Sequence, residues 1–246
     1  MLDTSDAPVA ELPPFTDQEY DRYDDEAHAV WRLLYERRMA TLVETGSETF
    51  LSGMERIGLS SDRVPDLAEV NARLAARTGW SAVGVSGFIP AAQFFRCLER
   101  RRFPTTLKVR PREQLDYLPE PDIFHDVFGH VPLHADPVFG DFLQRFGVLA
   151  AHAKTGDETA GMARLFWFTV EFGLIRERGR TRIYGSGLIS SQADAANALG
   201  PSCDRRPFDV DAVMTQSFEI DRLQNVLFVV DSFDQLFEAV EEVQRR

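Results

Sequence analysis

Apolar side chains along this chain recur mostly at helical spacing, and the stretches with strand character are short. Asp24 or Asp25 is placed to cap a helix running to about residue 44, with Ala29, Leu33, Leu34, Arg37 and Leu42 along a partly amphipathic stripe. Pro65 fits the first turn of a second helix, whose inner face is Leu67, Val70, Leu74 and Ala75 and whose stop is Gly79. Residues 82–85 read as a short strand ending at Gly87, Pro90 starts a helix through Phe94, Phe95 and Leu98, and residues 107–109 read as another short strand. Residues 137–152 form a helix with Phe139, Phe142, Leu143 and Phe146 inside; Gly156 breaks it, and residues 157–175 make the next. Extended pieces follow at 182–184 and 226–230, and residues 232–240 return to helix with Phe233, Leu236, Phe237 and Val240 on one side.

Helices therefore outnumber strands, and no regular alternation points to a doubly wound sheet. There is no internal repeat, and no linker is long enough to separate a pair of domains. At 246 residues the chain is long enough to bury roughly 70–75% of its extended surface in one core without disulfides. The pattern predicts a mainly α fold: a single compact domain over residues 16–246 with a few short β-strands, after a flexible Pro- and Asp-rich segment at 1–15.

The formal charge of -12 argues against a nucleic-acid partner, which needs a basic surface. Charge is uneven: residues 1–30 hold nine acids and one arginine, whereas residues 99–112 hold six bases and one acid. That basic run is either a solvated face or the source of a cation for a carboxylate-bearing substrate, since arginine's planar fork matches a carboxylate. Cys97 and Cys203 lie far apart and outside any thiolate metal motif, so neither a disulfide scaffold nor a cysteine metal site is expected. No stretch reads as a signal peptide or as a membrane span, and a cytoplasmic location is expected.

Three of the five histidines, His125, His130 and His134, fall within ten residues, close to Asp122 and Asp126. Crowded imidazoles suit Fe, Zn, Cu or Ni; the competing reading is a surface cluster with one structural histidine. His125 and His130 are five apart, about 140° on an ideal α-helix, so they converge only if the helix is irregular or one of them sits at its end. Gly129 permits a bend or a close approach. The spacing also departs from the zinc-peptidase arrangement. Glu171 is the candidate third ligand, because it interrupts the apolar stretch 165–175 and an unpaired buried carboxylate costs several kcal/mol. The competing reading is a salt bridge to Arg176 or Arg178, or partial exposure. Two histidines and one carboxylate leave three adjacent positions open on octahedral iron(II). His134, beyond Pro132, reads as a surface residue or as support behind the ligands, and His28 and His152 read as structural.

Residues 125–132, His-Asp-Val-Phe-Gly-His-Val-Pro, and residues 166–174, Phe-Trp-Phe-Thr-Val-Glu-Phe-Gly-Leu, together closely resemble the pterin-dependent aromatic amino acid hydroxylases, nearest to bacterial members that act on phenylalanine. Stretches 31–39, 64–80, 115–117, 182–187 and 229–237 agree, so the likeness runs from about Phe15 to Val240. The resemblance implies the catalytic domain of that family, with Fe(II) on His125, His130 and Glu171. It implies that Arg110 grips the amino acid's carboxylate, that Trp167 lines the ring pocket, and that Ser190 and Asp126 support the ligands. The pterin would lie against Gly87, Phe88 and Ile89 and stack on Phe94, a residue that the local pattern alone assigns to the core. The implied reaction converts L-phenylalanine to L-tyrosine with O2 and a tetrahydropterin (tetrahydrobiopterin or a related reduced pterin), through an iron(IV)-oxo species.

Leu118 departs from the threonine of animal members, and no stretch matches their N-terminal regulatory domain or C-terminal oligomerisation helix. A monomer is expected, supplied by pterin-recycling enzymes. The alternatives are a hydroxylase of tryptophan, of tyrosine or of the meta position of phenylalanine, a metal-binding protein without turnover, and a zinc hydrolase.

Overall fold

The first helix, α1 (Asp25–Thr45), begins where the Asp24 side chain accepts the Ala27 N–H, and it buries Val30, Trp31, Leu34, Arg38 and Leu42. Trp31 meets Phe124 and Phe128 edge-on at ring separations of 5.4 and 6.4 Å, so α1 rests directly on the histidine-bearing segment. This computed structural model describes residues 11–116 and 120–245; Leu118, Tyr117 and most of the segment expected to be flexible lie outside the described residues.

The pattern did not predict α2 (Glu48–Ile57), whose stripe of Phe50, Met54 and Ile57 is short and interrupted by Gly53. That glycine is what packing requires: a Cβ there would sit 2.1 Å from the Pro132 carbonyl oxygen. The helix α3 (Leu67–Arg77) is capped by Asp66, one residue after the proline expected to open it. Strands β1 (Ser81–Val85) and β2 (Arg102–Thr106) pair in parallel, Ser81 opposite Arg102, with α4 (Ala91–Glu99) between them. The second strand thus precedes the expected 107–109. Pro104 reads against a strand, but a two-stranded sheet has only edges, where proline is tolerated.

Helices α5 (Pro137–Ala151) and α6 (Gly156–Phe166) follow, the latter started by a reciprocal cap between Thr155 and Glu158. The helix expected over 157–175 does not run that far. It changes to a π-helical turn over Trp167–Glu171, and the chain then enters β3 (Leu174–Glu177). A stretch buried on every side carries no periodicity to mark that change. Next come β4 (Arg180–Ile183), α7 (Ser186–Ser190), α8 (Gln192–Leu199), β5 (Asp204–Pro207), α9 (Val210–Thr215), β6 (Val226–Val230) and α10 (Phe233–Gln244). The larger sheet runs β4-β3-β6-β5, with β4 antiparallel to β3 and β6 parallel to both of its neighbours. The edge strand β5 is exposed throughout, and its charges and Pro207 discourage pairing with another chain. The fold is mainly helical with short strands, as the pattern predicts, and both cysteines are buried free thiols.

His28 is structural, its Nδ1 accepting the Val64 N–H, and His152 ends α5 at the surface. His134 is not a surface residue. Its ring is fully buried, 4.7 Å from Trp80 and 4.9 Å from Phe103, and neither ring nitrogen finds a hydrogen-bond partner among the described residues. Burial first, and His130 second, hold its pKa well below the ordinary value of 6.5. The unfolded chain therefore takes up a proton that the fold refuses, and stability falls as pH drops below about 6.5. One unit lower, the loss from this residue is about 1.4 kcal/mol. His134→Phe, which keeps the ring stack, should shrink the difference between urea stabilities at pH 7.5 and 5.5 by about that amount. An undiminished difference would assign the acid sensitivity elsewhere.

Candidate metal centre and substrate cavity

The segment Phe124–His130 is π-helical. Closure from i to i+5 brings residues five apart to one side of the turn, which an α-helix would not do. Asp122, fully buried, holds the start of this segment. Its Oδ1 accepts the His125 N–H at 3.0 Å and Arg110 Nη2 at 2.8 Å, and its Oδ2 accepts Arg110 Nε at 2.9 Å. Gly129 provides the close approach: a Cβ there would lie 3.1 Å from the Ser186 carbonyl oxygen of α7.

Glu171 ends the second π-helical turn, and one potential ligand atom from each of His125, His130 and Glu171 falls within 4.8 Å of the others. His130 Nε2 is 3.2 Å and His125 Nε2 3.7 Å from the carboxylate oxygens. Neither arginine suggested as a partner for Glu171 takes that role: Arg176 pairs with Asp231 and Arg178 with Glu48.

The short helix α7 sets the orientation of two ligands. The Ser190 hydroxyl donates to the Ser186 carbonyl at 2.8 Å, so its oxygen is left to accept from His125 Nδ1 at 2.9 Å. That arrangement puts the proton on Nδ1 and the lone pair of His125 on Nε2, facing the cluster. Ser186 Oγ donates to Glu171 Oε2 at 2.8 Å. Arg38 closes the far end of α7, its Nε donating to the Ile189 carbonyl at 2.7 Å and its Nη2 to the Leu188 carbonyl at 3.0 Å.

Burial pushes the His125 pKa down to about 4, leaving a neutral imidazole at neutral pH. Burial raises the Glu171 carboxyl, but the charge and hydrogen bond of His130, with His125 and Ser186, outweigh it and bring the pKa to about 2. A neutral imidazole beside an ionised carboxylate is the protonation that a divalent ion requires. Two nitrogens and one oxygen, each with a fixed orientation, fit iron(II) with open positions.

A cavity of about 710 Å³ opens beside His125 and Glu171, and Arg110, Trp167, Ser190, Phe88 and Asp194 help to line it. Trp167 is stacked on Phe218 at 4.5 Å. Phe88 and Ile220, exposed by 74% and 78%, stand at its rim. Gly87 lines a neighbouring cavity of about 200 Å³ that shares Phe88. Ile89 is half-buried and borders neither cavity. Phe94 packs edge-on against Phe95, Phe103 and Phe166, and Phe103 in turn lies 4.6 Å from the His130 ring. Asp126 makes no hydrogen bond to a ligand among the described residues. Its Oδ2 accepts the Thr106 N–H at 2.6 Å, tying the segment to β2, and burial pushes its pKa up to about 7.

Asp122, Ser186 and Arg38 were not singled out from sequence. Asp122 carried a readable signal, an aspartate three residues before His125 in a helix-start position. Ser186 and Arg38 carried none, because their partners are distant in the chain.

Residues 17–245 match the family described as biopterin-dependent aromatic amino acid hydroxylases. The phenylalanine-4-hydroxylase of Chromobacterium violaceum is 46% identical over 90% of this chain and 75% of its own length, and that of Ralstonia nicotianae 44% identical over 92% and 73%. A crystal structure of the Chromobacterium violaceum enzyme with bound Fe(III) superposes with a TM-score of 0.90 at 45% identity, covering 92% of this chain and 83% of that one. Another structure of that enzyme, with iron(III) and 7,8-dihydrobiopterin, gives 0.89 over 93% and 84%. With its two-histidine, one-carboxylate cluster held as described, this chain belongs to the biopterin-dependent aromatic amino acid hydroxylases.

Proposed function

We propose that this protein is a phenylalanine 4-monooxygenase, hydroxylating L-phenylalanine to L-tyrosine with Fe(II), a tetrahydropterin and O2. The observation that carries the reading is one cavity wall holding both the His125–Glu171 edge of the cluster and the guanidinium of Arg110. Bound iron and the reduced pterin would supply the activation of oxygen; the protein supplies position and electrostatics.

In this reading Arg110 receives the substrate carboxylate. Asp122 occupies its Nε–Nη2 edge, which fixes the guanidinium plane, and Nη1 makes only a long, 3.4 Å bond to the Leu115 carbonyl that a substrate carboxylate would share or replace. The rings of Trp167 and Phe172, 4.6 Å apart, line the same cavity as Glu171 and would give the substrate's aromatic ring an apolar wall. Ser190 holds the tautomer of His125, and Asp126 holds the segment against β2. Gly87, Phe88, Ile89 and Phe94 make the pterin side; the open space around the Gly87 Cα, where a Cβ would meet nothing within 4 Å, lets a flat ring approach the backbone. The protein works as a cytoplasmic monomer, and separate recycling enzymes restore its pterin. No helix among the described residues is long and apolar enough to cross a membrane.

Purified protein given Fe(II), a reduced pterin and O2 should convert phenylalanine to para-tyrosine in preference to acting on tyrosine or tryptophan, as product identification will show. Mainly 5-hydroxytryptophan, dihydroxyphenylalanine or meta-tyrosine would move the assignment within the family, and metal binding without turnover would remove it. Ser190→Ala should weaken Fe(II) binding about 10- to 100-fold in an anaerobic titration, because the His125 tautomer loses its acceptor. Arg110→Lys keeps a cation for Asp122 but loses the fork, so the KM for phenylalanine should rise about tenfold or more while iron is retained. Iron loss in that variant would instead make Arg110 a support of the His125 segment.

A further inference from the structure

The wall of the large cavity carries four carboxylates: Asp116, Glu120, Glu171 and Asp194. Three have cationic or metal-binding company. Asp116 lies 3.4 Å from Arg37, Glu120 lies 2.6 Å from Lys108, and Glu171 faces the two histidines. The basic groups on the same wall are likewise engaged, Arg110 with Asp122 and Arg38 with the carbonyls of α7. Asp194 has no basic partner among the described residues. Its N–H donates to Ser191 Oγ at 3.2 Å as the cap of α8, its carboxylate is influenced by the Ser191 hydroxyl and its own backbone N–H, and it is part-buried in the first turn of that helix. It follows Ser190 across the extended residue Ser191 that separates α7 from α8, and both Ser190 and Asp194 line the cavity.

We propose that Asp194 binds the α-ammonium group of the amino-acid substrate, making this cavity selective for zwitterions over aromatic acids that lack the amine. The inference rests on the reading of the cavity as an amino-acid site. A zwitterion needs one cation and one anion on the wall, and Arg110 already provides the cation. Burial raises the Asp194 pKa, and an ammonium group beside it would favour the ionised form. Aspartate in a first helical turn also favours α8 through the helix dipole, without any ligand. The two roles separate experimentally, because Asp194→Asn removes the charge and keeps the shape and a hydrogen-bonding oxygen.

The test compares L-phenylalanine with 3-phenylpropanoate, which is the same molecule without the amine, for binding to Fe(II)-loaded protein under argon. In Asp194→Asn, phenylalanine should bind about tenfold or more weakly, as for a lost hydrogen bond to a charged group, while 3-phenylpropanoate binds as well as before or better. In turnover the loss should fall mainly on KM. Equal weakening of both ligands would assign Asp194 to the start of α8 and overturn the proposal, and so would no weakening of either. Wild-type protein that forms para-tyrosine while Asp194→Asn treats the two ligands alike defeats this inference alone. Wild-type protein that forms no hydroxylated amino acid defeats the functional reading beneath it.

Discussion

Two imidazoles five residues apart can share an ion only where the backbone abandons α-helical closure, and the rest of the site is arranged around that departure. A π-helical turn gives up the tight i to i+4 ladder, so tertiary contacts must hold it. Here they surround it: Asp122 takes the His125 N–H, Asp126 fastens the segment to β2, Trp31 of α1 packs on Phe124 and Phe128, and Gly129 lets α7 come into contact. The second π-helical turn delivers Glu171 in the same way, ending just where the chain turns into β3.

The groups that hold the ligands also shape the cavity. One aspartate, Asp122, fixes both His125 and the Arg110 guanidinium, so the orientations of this cluster imidazole and of this cavity-wall cation are tied to one carboxylate. One five-residue helix, α7, positions His125 through Ser190 and Glu171 through Ser186, and a buried arginine from α1 satisfies its carbonyl end. A charge placed that deeply without a carboxylate partner is costly, and it is tolerated because it meets two carbonyls at a helix C-terminus, where the dipole favours a cation. Phe103, buried against the His130 ring, keeps that side of the cluster apolar, while Trp167, stacked on Phe218, lines the cavity.

Where the chain pattern and the fold disagree, the cause is burial or brevity. The stretch 165–175 is apolar on all sides, so nothing in it marks the change from helix to π-helical turn to strand. The elements α7, α8, α9 and β5 are too short, or too mixed in polarity, to impose a period, whereas the Phe50, Met54 and Ile57 stripe of α2 does stand at helical spacing. Proline in β2 shifted the expected strand to the next apolar run. His134 looked like a surface residue because a proline preceded it, yet Trp80 and Phe103 enclose it from segments about fifty and thirty residues away in sequence, a packing that spacing does not encode.

Residue chemistry alone proposed the ligand set, two nearby histidines and one acid stranded among apolar neighbours, while leaving a surface cluster and a salt-bridged Glu171 open; the family resemblance narrowed it. It also determined the mainly helical class, because amphipathic spacing survives in helices such as α3 and α5. Only the tertiary structure decided that the histidines converge, which nitrogen of His125 faces the cluster, and how the arginines of the cavity wall are held. Those are matters of dihedral angle and of partners separated by up to 151 residues, and a linear pattern carries neither.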